Sequence, residues 1–385
     1  MEAFRSGLLS LLQKLVSIES VNPWLVPGGA GEAQIADFVA NWLAPLGVPV
    51  WQEVVINGRS NLIARLPGTG KGKSLCLYAH LDTVGASLWQ DRAFRLRQSG
   101  DRLYGLGAAD DKGQCGAAML AFKALVESKK QLGGDVWLAL LVDEEGESSG
   151  AFHFVERHHP DAVIVLEPFG LDRIIVSHQG FGWLDIVVKG RPAHGCDPEQ
   201  GIDAILLTAE VITRLGRLDC EQFALHPHPL NGKTVFHTST ITGGTDYATY
   251  PANCQLGIEI GTQPGETIDN RLRELEAVFS QVKAAFPQFE AQVQVRLARE
   301  PFEARGHEAL WSALSGQLER LNGKPPVAAG LNAWCDAAIF QQAGIPTLMI
   351  GATGGNYHAP DEWVSLFQLE ALTAALMNTA QAFCA

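Results

Sequence analysis

Apolar positions along this chain follow two periods that alternate. Residues 32–46 place Ile35, Phe38, Val39, Trp42 and Leu43 at helical spacing. Residues 74–79 form a short apolar run between turns, and 136–142 (VWLALLV) and 162–166 (AVIVL) are continuous apolar runs of strand length. The Ala- and Leu-rich stretch 113–128 predicts a helix. Strands apolar on both faces, interleaved with helices, predict a mostly parallel α/β sheet covered on both sides. Near His178 the pattern changes. Residues 182–189 (GWLDIVVK) alternate like a half-exposed strand, and a helix over 202–215 follows. Strands are then predicted over 234–242 and 255–261, a helix over 267–286 and an alternating strand over 292–297. That β-α-β-β-α-β order predicts a ferredoxin-like α+β unit. The α/β style resumes with a helix over 308–321, an apolar run over 346–350 and a last helix from Leu366. The expected organisation is an outer domain, residues 1–178 and 299–385, interrupted by an inserted domain over 179–298.

Composition narrows the function classes. The 385 residues exceed what one core usually holds, roughly 250–300. Hydrophobic residues make up 46% and charged ones 18%, as in a folded globular chain. With 29 Lys+Arg against 42 Asp+Glu the formal charge is −13. That argues against nucleic acid, which needs a basic stripe, and against an anionic membrane surface. No apolar stretch is long enough to span a bilayer, and no secretory leader is visible, so a cytoplasmic location is expected. The seven cysteines are scattered without a C-x-x-C and read as reduced thiols.

Two glycine-rich segments imitate nucleotide sites. Residues 67–74 (PGTGKGKS) lack the first glycine of a phosphate loop and run into a strand, where such a loop must open a helix. Residues 105–110 (GLGAAD) begin like a dinucleotide fingerprint but end in Asp110. The segments with chemistry place His, Asp and Glu where strands should end, which is where open α/β sheets build sites. His80-Leu81-Asp82 follows the first buried run, and residues two apart in extended chain share a face, so Asp82 can accept the spare N–H of His80. In 105–113 (GLGAADDKG) adjacent Asp110 and Asp111 point apart, so one of them reaches a site; a plain helix cap is the alternative. Asp143-Glu144-Glu145-Gly146 ends VWLALLV, where neighbouring carboxylates are costly without a cation, unless they form an ordinary acidic turn. Metal coordination by one and proton transfer by another would explain the pair. Glu167 ends AVIVL, and His358 follows the glycine-rich loop after residue 350.

Together HLDTV, GLGAADDKG, DEEG, LEP and HAPDE resemble the motif set of the dinuclear zinc aminoacylases and exopeptidases. Acetylornithine deacetylase, succinyl-diaminopimelate desuccinylase and glutamate carboxypeptidase belong to that family. The motifs run from residue 80 to 358, and the domain insertion matches as well. The resemblance implies a zinc-exopeptidase-like catalytic domain with an inserted lid or dimerisation domain. It implies two Zn2+ per chain, with Co2+ or Mn2+ as alternatives. It assigns His80, Asp110, Glu145, Glu167 and His358 as ligands, with Asp110 bridging and a cis peptide following it. Asp82 orients His80, and Glu144 is the general base of an amide hydrolase acting on a small N-acyl amino acid, acetylornithine-deacetylase-like, or on a dipeptide. A metallocarboxypeptidase or dipeptidase is the alternative within the family, and a catalytically silent binding homologue the alternative outside it. Residues 190–195 (GRPAHG) resemble the family segment whose histidine reaches a partner's site, so His194 would serve the oxyanion in trans within a homodimer. Many relatives carry an arginine for the substrate carboxylate where this chain has Gly261. Asn253, Asn332, Gly354 and Gly355, with Arg191, are candidate replacements.

Overall fold

The computed structural model describes residues 2–385. The chain divides into two units: one gathers the chain up to Val176 with Ala304–Ala328 and Cys335–Ala385, the other Ser177–Glu303 with Ala329–Trp334. In the first unit the strands lie in the order Val50–Ile56, Arg59–Leu66, Val136–Leu141, Leu75–His80, Ala162–Leu166, Thr347–Gly351 and Gly170–His178. Four of them, from Val136–Leu141 to Thr347–Gly351, run parallel, and the outer strands pair antiparallel. The parallel strands are apolar throughout because both faces are covered. Leu75, Leu77 and Ala79 join one large core with the helices Glu2–Ser17, Ala33–Leu43, Lys112–Ser128, Glu308–Asn322 and Leu366–Phe383. Tyr78 faces the other way and meets Phe340 edge-on at 5.0 Å, and Phe154 in turn packs on Phe340 at 5.9 Å.

The registers set the parallel strand ends side by side. His80 pairs with Leu141, Tyr78 with Val165 and Ile350 with Leu166. A small sheet of Gly354–Gly355, Trp363–Ser365, Arg102–Tyr104 and Arg97–Ser99 ties the loop bearing His358 to the approach to Asp110. Two glycines of the phosphate-loop imitation, Gly68 and Gly72, serve close packing. A Cβ on Gly68 would lie 2.4 Å from the Gly134 backbone, and one on Gly134 would lie 1.9 Å from the Lys73 carbonyl.

The second unit carries the antiparallel order Phe236–Gly243, Asn253–Thr262, Gly180–Lys189, Glu290–Arg299. With the helices Ala204–Leu218 and Ile268–Ala285 this is the β-α-β-β-α-β arrangement. Leu184, Ile186 and Val188 alternate inward and meet Leu207, Val211, Leu215, Leu275, Val278 and Val282. Thr267 and Asn270 cap the second helix reciprocally. All seven cysteines are free thiols, and no helix among the described residues is long and apolar enough to cross a membrane.

Candidate metal centre

The carboxyl ends of the four parallel strands, with one turn, converge on a single cluster. His80 is the last residue of its strand and is fully buried. Its Nε2 lies 2.9 Å from Asp110 Oδ1, and its Nδ1 faces Asp82, 3.1 Å from the carbonyl oxygen and 3.4 Å from Oδ1. Asp82 therefore does flank the ring, but its backbone oxygen is the nearer acceptor. The Asp82 carboxylate accepts the backbone N–H groups of Glu144 and Glu145 at 3.1 and 3.0 Å. Glu167 follows the Ala162–Leu166 strand, and His358, at φ 58° and half exposed, stands in the loop after Thr347–Gly351.

Asp110 departs from the strand-end expectation. It lies in the turn before the Lys112–Ser128 helix, held there because Glu362 accepts the N–H groups of Ala109 and Asp110. The Asp110–Asp111 peptide is cis. Of the two aspartates, Asp110 reaches the cluster with both oxygens, its Oδ2 lying 3.4 Å from His358 Nε2. Asp111 turns away and accepts the His80 N–H at 3.2 Å.

Two triads share Asp110: His80 with Asp110 and Glu167, and Asp110 with Glu145 and His358, each with candidate ligand atoms within 4.8 Å of one another. Burial, reinforced by neighbouring carboxylates, pushes Glu144, Glu145 and Glu167 above the usual carboxylate range. Burial also opposes ionisation of Asp110, but His358 and His80 outweigh it and hold that carboxyl low. Glu145 Oε1, 3.3 Å from His358 Nε2, is buried and makes no hydrogen bond. An orphaned carboxylate oxygen among crowded acids and two imidazoles fits a pair of divalent cations. A set of two histidines and three carboxylates suits zinc or a neighbouring first-row metal better than calcium.

This constellation can be compared with known proteins. A profile of peptidase family M20/M25/M40 matches residues 76–382. The chain belongs to that family. An acetylornithine deacetylase of Proteus mirabilis (strain HI4320) is 29% identical over 386 residues, covering 98% of this chain and 96% of the relative. One from Vibrio cholerae serotype O1 (strain M66-2) is 28% identical over 389 residues, covering 98% and 99%. Among solved structures, aminopeptidase PepT from Bacillus cereus ATCC 10987 matches with a TM-score of 0.82 at 20% identity over 99% of both chains. The M20 family metallo-carboxypeptidase Sso-CP2 from Sulfolobus solfataricus gives 0.79 at 16% identity, covering 98% of this chain and 99% of that one. Like its M20 relatives, the chain is a metal-dependent amide hydrolase.

The remaining sequence candidates fall in different places. Gly354 and Gly355 pair with Val364 and Trp363, and a Cβ on Gly354 would sit 2.6 Å from that of Ala109, so backbone lines this edge of the cluster. Tyr357, unremarked in the sequence, donates to the Pro168 carbonyl at 2.7 Å beside Glu167. His194, Asn253 and Asn332 belong to the second unit. There His194 bridges to Thr249, and its Nδ1 accepts the Cys196 N–H at 3.2 Å. Arg191 is engaged by the carbonyls of Gln200 and Glu199. At Gly261 a Cβ would lie 2.6 Å from Gln179 Oε1 and 3.2 Å from Thr234, so a side chain there would have to displace the Gln179 amide from the Val235 N–H. The buried Arg271 nearby donates to the Gly261 carbonyl and is saturated by Glu266 and Glu274, so it is a packing element of this unit.

Proposed function

We propose that this chain hydrolyses the amide bond of small N-acyl amino acids, in the manner of an acetylornithine deacetylase. The observation that carries the reading is the pair of triads sharing Asp110, with Glu144 on the same turn as Glu145 but in neither triad. His80, Asp110 and Glu167 would hold one ion, and Asp110, Glu145 and His358 the other, zinc being the expected metal. When bound, the ions supply Lewis-acid polarisation of the amide carbonyl and lower the pKa of an attacking water. Glu144 takes the proton of that water on its carboxylate and returns it to the nitrogen of the departing amine. Asp82 keeps the His80 ring turned toward Asp110. His194 from a partner subunit would donate to the oxyanion in a homodimer, with the second unit as lid. Asn253, Asn332, Gly354 and Gly355 remain the candidates for holding the substrate.

The test is Glu144→Ala, with metal content measured alongside amine release from N-acetylornithine, other N-acetyl amino acids and dipeptides. The variant should keep its metal and lose about 10²- to 10⁴-fold in turnover. Full activity in Glu144→Ala would sink the assignment of the base. Cleavage of dipeptides but no acyl amino acid would move the reading to a dipeptidase. Two metals per chain with no hydrolysis by the parent protein would favour the silent homologue.

A further inference from the structure

Behind the turn that begins at Asp143 lies a buried polar network that, Asp82 apart, no step of the proposed reaction uses. Arg59 grips both oxygens of Glu32, with Nε at 2.5 Å and Nη2 at 2.6 Å, and Nη2 also donates to Asp143 Oδ1 at 2.9 Å. Glu32 Oε1 accepts the Asp143 N–H at 3.0 Å. Asn22 Nδ2 bridges Asp143 Oδ1 at 3.0 Å and Asp82 Oδ2 at 2.8 Å. Ser149 Oγ donates to Asp143 Oδ2 at 2.7 Å. All of Asn22, Glu32, Arg59, Asp82 and Asp143 are buried.

Two points give this network a direction. A buried cluster of one guanidinium and several carboxylates is a poorer source of net stability than apolar packing of the same volume. Asp143 adopts φ 73° and Ser148 φ 59°, left-handed conformations that non-glycine residues keep only where the surroundings over-determine them. Asp143 is the residue before Glu144, and its backbone N–H and both carboxylate oxygens are held. The Asp82 end of the network accepts the N–H groups of Glu144 and Glu145 themselves.

We propose that Arg59 is a positioning residue: acting through Glu32 and Asp143, it fixes the turn that aims Glu144 at the substrate and Glu145 at its triad. The proposal rests on the reading of Glu144 as the base. Lysine cannot replace the planar fork, because one ammonium cannot hold both Glu32 oxygens and Asp143 in the same geometry. Arg59 does not touch His80 or Glu167, so its loss acts on one triad more than the other.

The experiment compares Arg59→Lys and Arg59→Gln with the parent in the full chain loaded with Zn2+. At saturating metal kcat should fall about 10- to 100-fold with KM nearly unchanged, and Lys should retain more than Gln. Chelator titration should show one of the two ions held about 10-fold more weakly and the other as before. Unchanged kcat, or equal weakening of both ions, overturns the proposal. If the Arg59 variants fail to fold, Glu32→Gln, which weakens the grip of Arg59 while leaving an amide oxygen for the Asp143 N–H, must still lower kcat at constant KM; an unchanged kcat overturns the proposal by this route too. Failure of the underlying reading looks different: an active Glu144→Ala variant removes the base, whereas an inactive one beside fully active Arg59 variants removes only the positioning role.

Discussion

Removing the Glu362 carboxylate should cost a large part of the stability of the unit that carries the site. Glu362 is 1% exposed. Its Oε1 accepts the N–H groups of Ala109 at 2.8 Å and Asp110 at 3.0 Å, and its Oε2 accepts that of Gly107 at 3.1 Å. Burial and the charge of Asp110 push its pKa up to about 8, while these three donors pull it down. Since each of these partners is a donor, the ionised form is the one that satisfies the turn. Glu362→Ala strands three buried N–H groups. At about 1–3 kcal/mol for each unsatisfied donor, and allowing for relaxation, the loss is on the order of 3–6 kcal/mol. Glu362→Gln keeps one oxygen for Ala109 and Asp110 but turns an amide NH2 toward the Gly107 N–H, so about 1–3 kcal/mol is expected. Against a total of about 5–15 kcal/mol for a folded domain, the two variants should separate clearly. Urea denaturation of the metal-loaded protein at pH 9, above that pKa, measures both. An alanine variant within about 1 kcal/mol of the parent, or a glutamine variant as damaged as alanine, refutes the view that this carboxylate holds the Asp110 turn.

Two further outcomes follow from the same geometry. Gly134→Ala places a Cβ 1.9 Å from the Lys73 carbonyl, so the backbone must shift; a loss of about 1–3 kcal/mol is expected in thermal melts, and a neutral result would mean the loop has slack. In the metal-free protein, stability should fall as pH rises from about 5 to 8, the reverse of ordinary acid denaturation. Burial holds Glu144, Glu145 and Glu167 above the usual glutamate range, and the Asp110 and Glu145 carboxylates, 3.4 and 3.3 Å from its Nε2, hold His358 up at about 11. His80 is raised too, because Asp110 and Asp82 outweigh the effect of burial. All these groups keep protons in the folded chain that the unfolded chain releases over this range. Asp82 and Asp110 are lowered, are ionised in both states there, and add no slope. Zn2+ replaces those protons and should flatten the curve; a melting temperature that climbs with pH in chelator would contradict the charge balance described for the cluster.

The parallel core was legible because strands buried on both faces leave no alternation, only short continuous runs such as VWLALLV and AVIVL. The second unit was legible for the opposite reason: Gly180–Lys189 alternates inward and outward along its whole length. The hairpin of Val50–Ile56 and Arg59–Leu66 is not carried by apolar pattern. It sits at a sheet edge with Val54 exposed, and its signature is the Asn57-Gly58 turn, where both residues have positive φ. Gly261 shows the limit of reading a single position. Its departure from the family arginine is visible in the sequence, but only the packing against Gln179 and Thr234 reveals that the neighbourhood has closed around glycine.

Within the site the division between legible and illegible residues has a physical cause. His80, Glu144, Glu145 and Glu167 lie within a few residues of a buried strand's carboxyl end, so local pattern locates them once the strands are found. Asp110 has no such marker; it sits on a turn before a helix, where an aspartate is equally expected as a cap, and only its motif singles it out. Asn22, Glu32 and Arg59 have neither marker nor motif. They come from the loop after the first helix, the start of the second and an edge hairpin, and each is an ordinary polar residue in its own neighbourhood. Their burial is created by tertiary contacts to Asp82 and Asp143, 60 and 84 positions away for the Asn22–Asp82 and Arg59–Asp143 pairs. Residues that touch the reacting atoms must stand where the fold opens, which local pattern can find. Residues that hold them must be polar, buried and distant in sequence, which leaves no local trace.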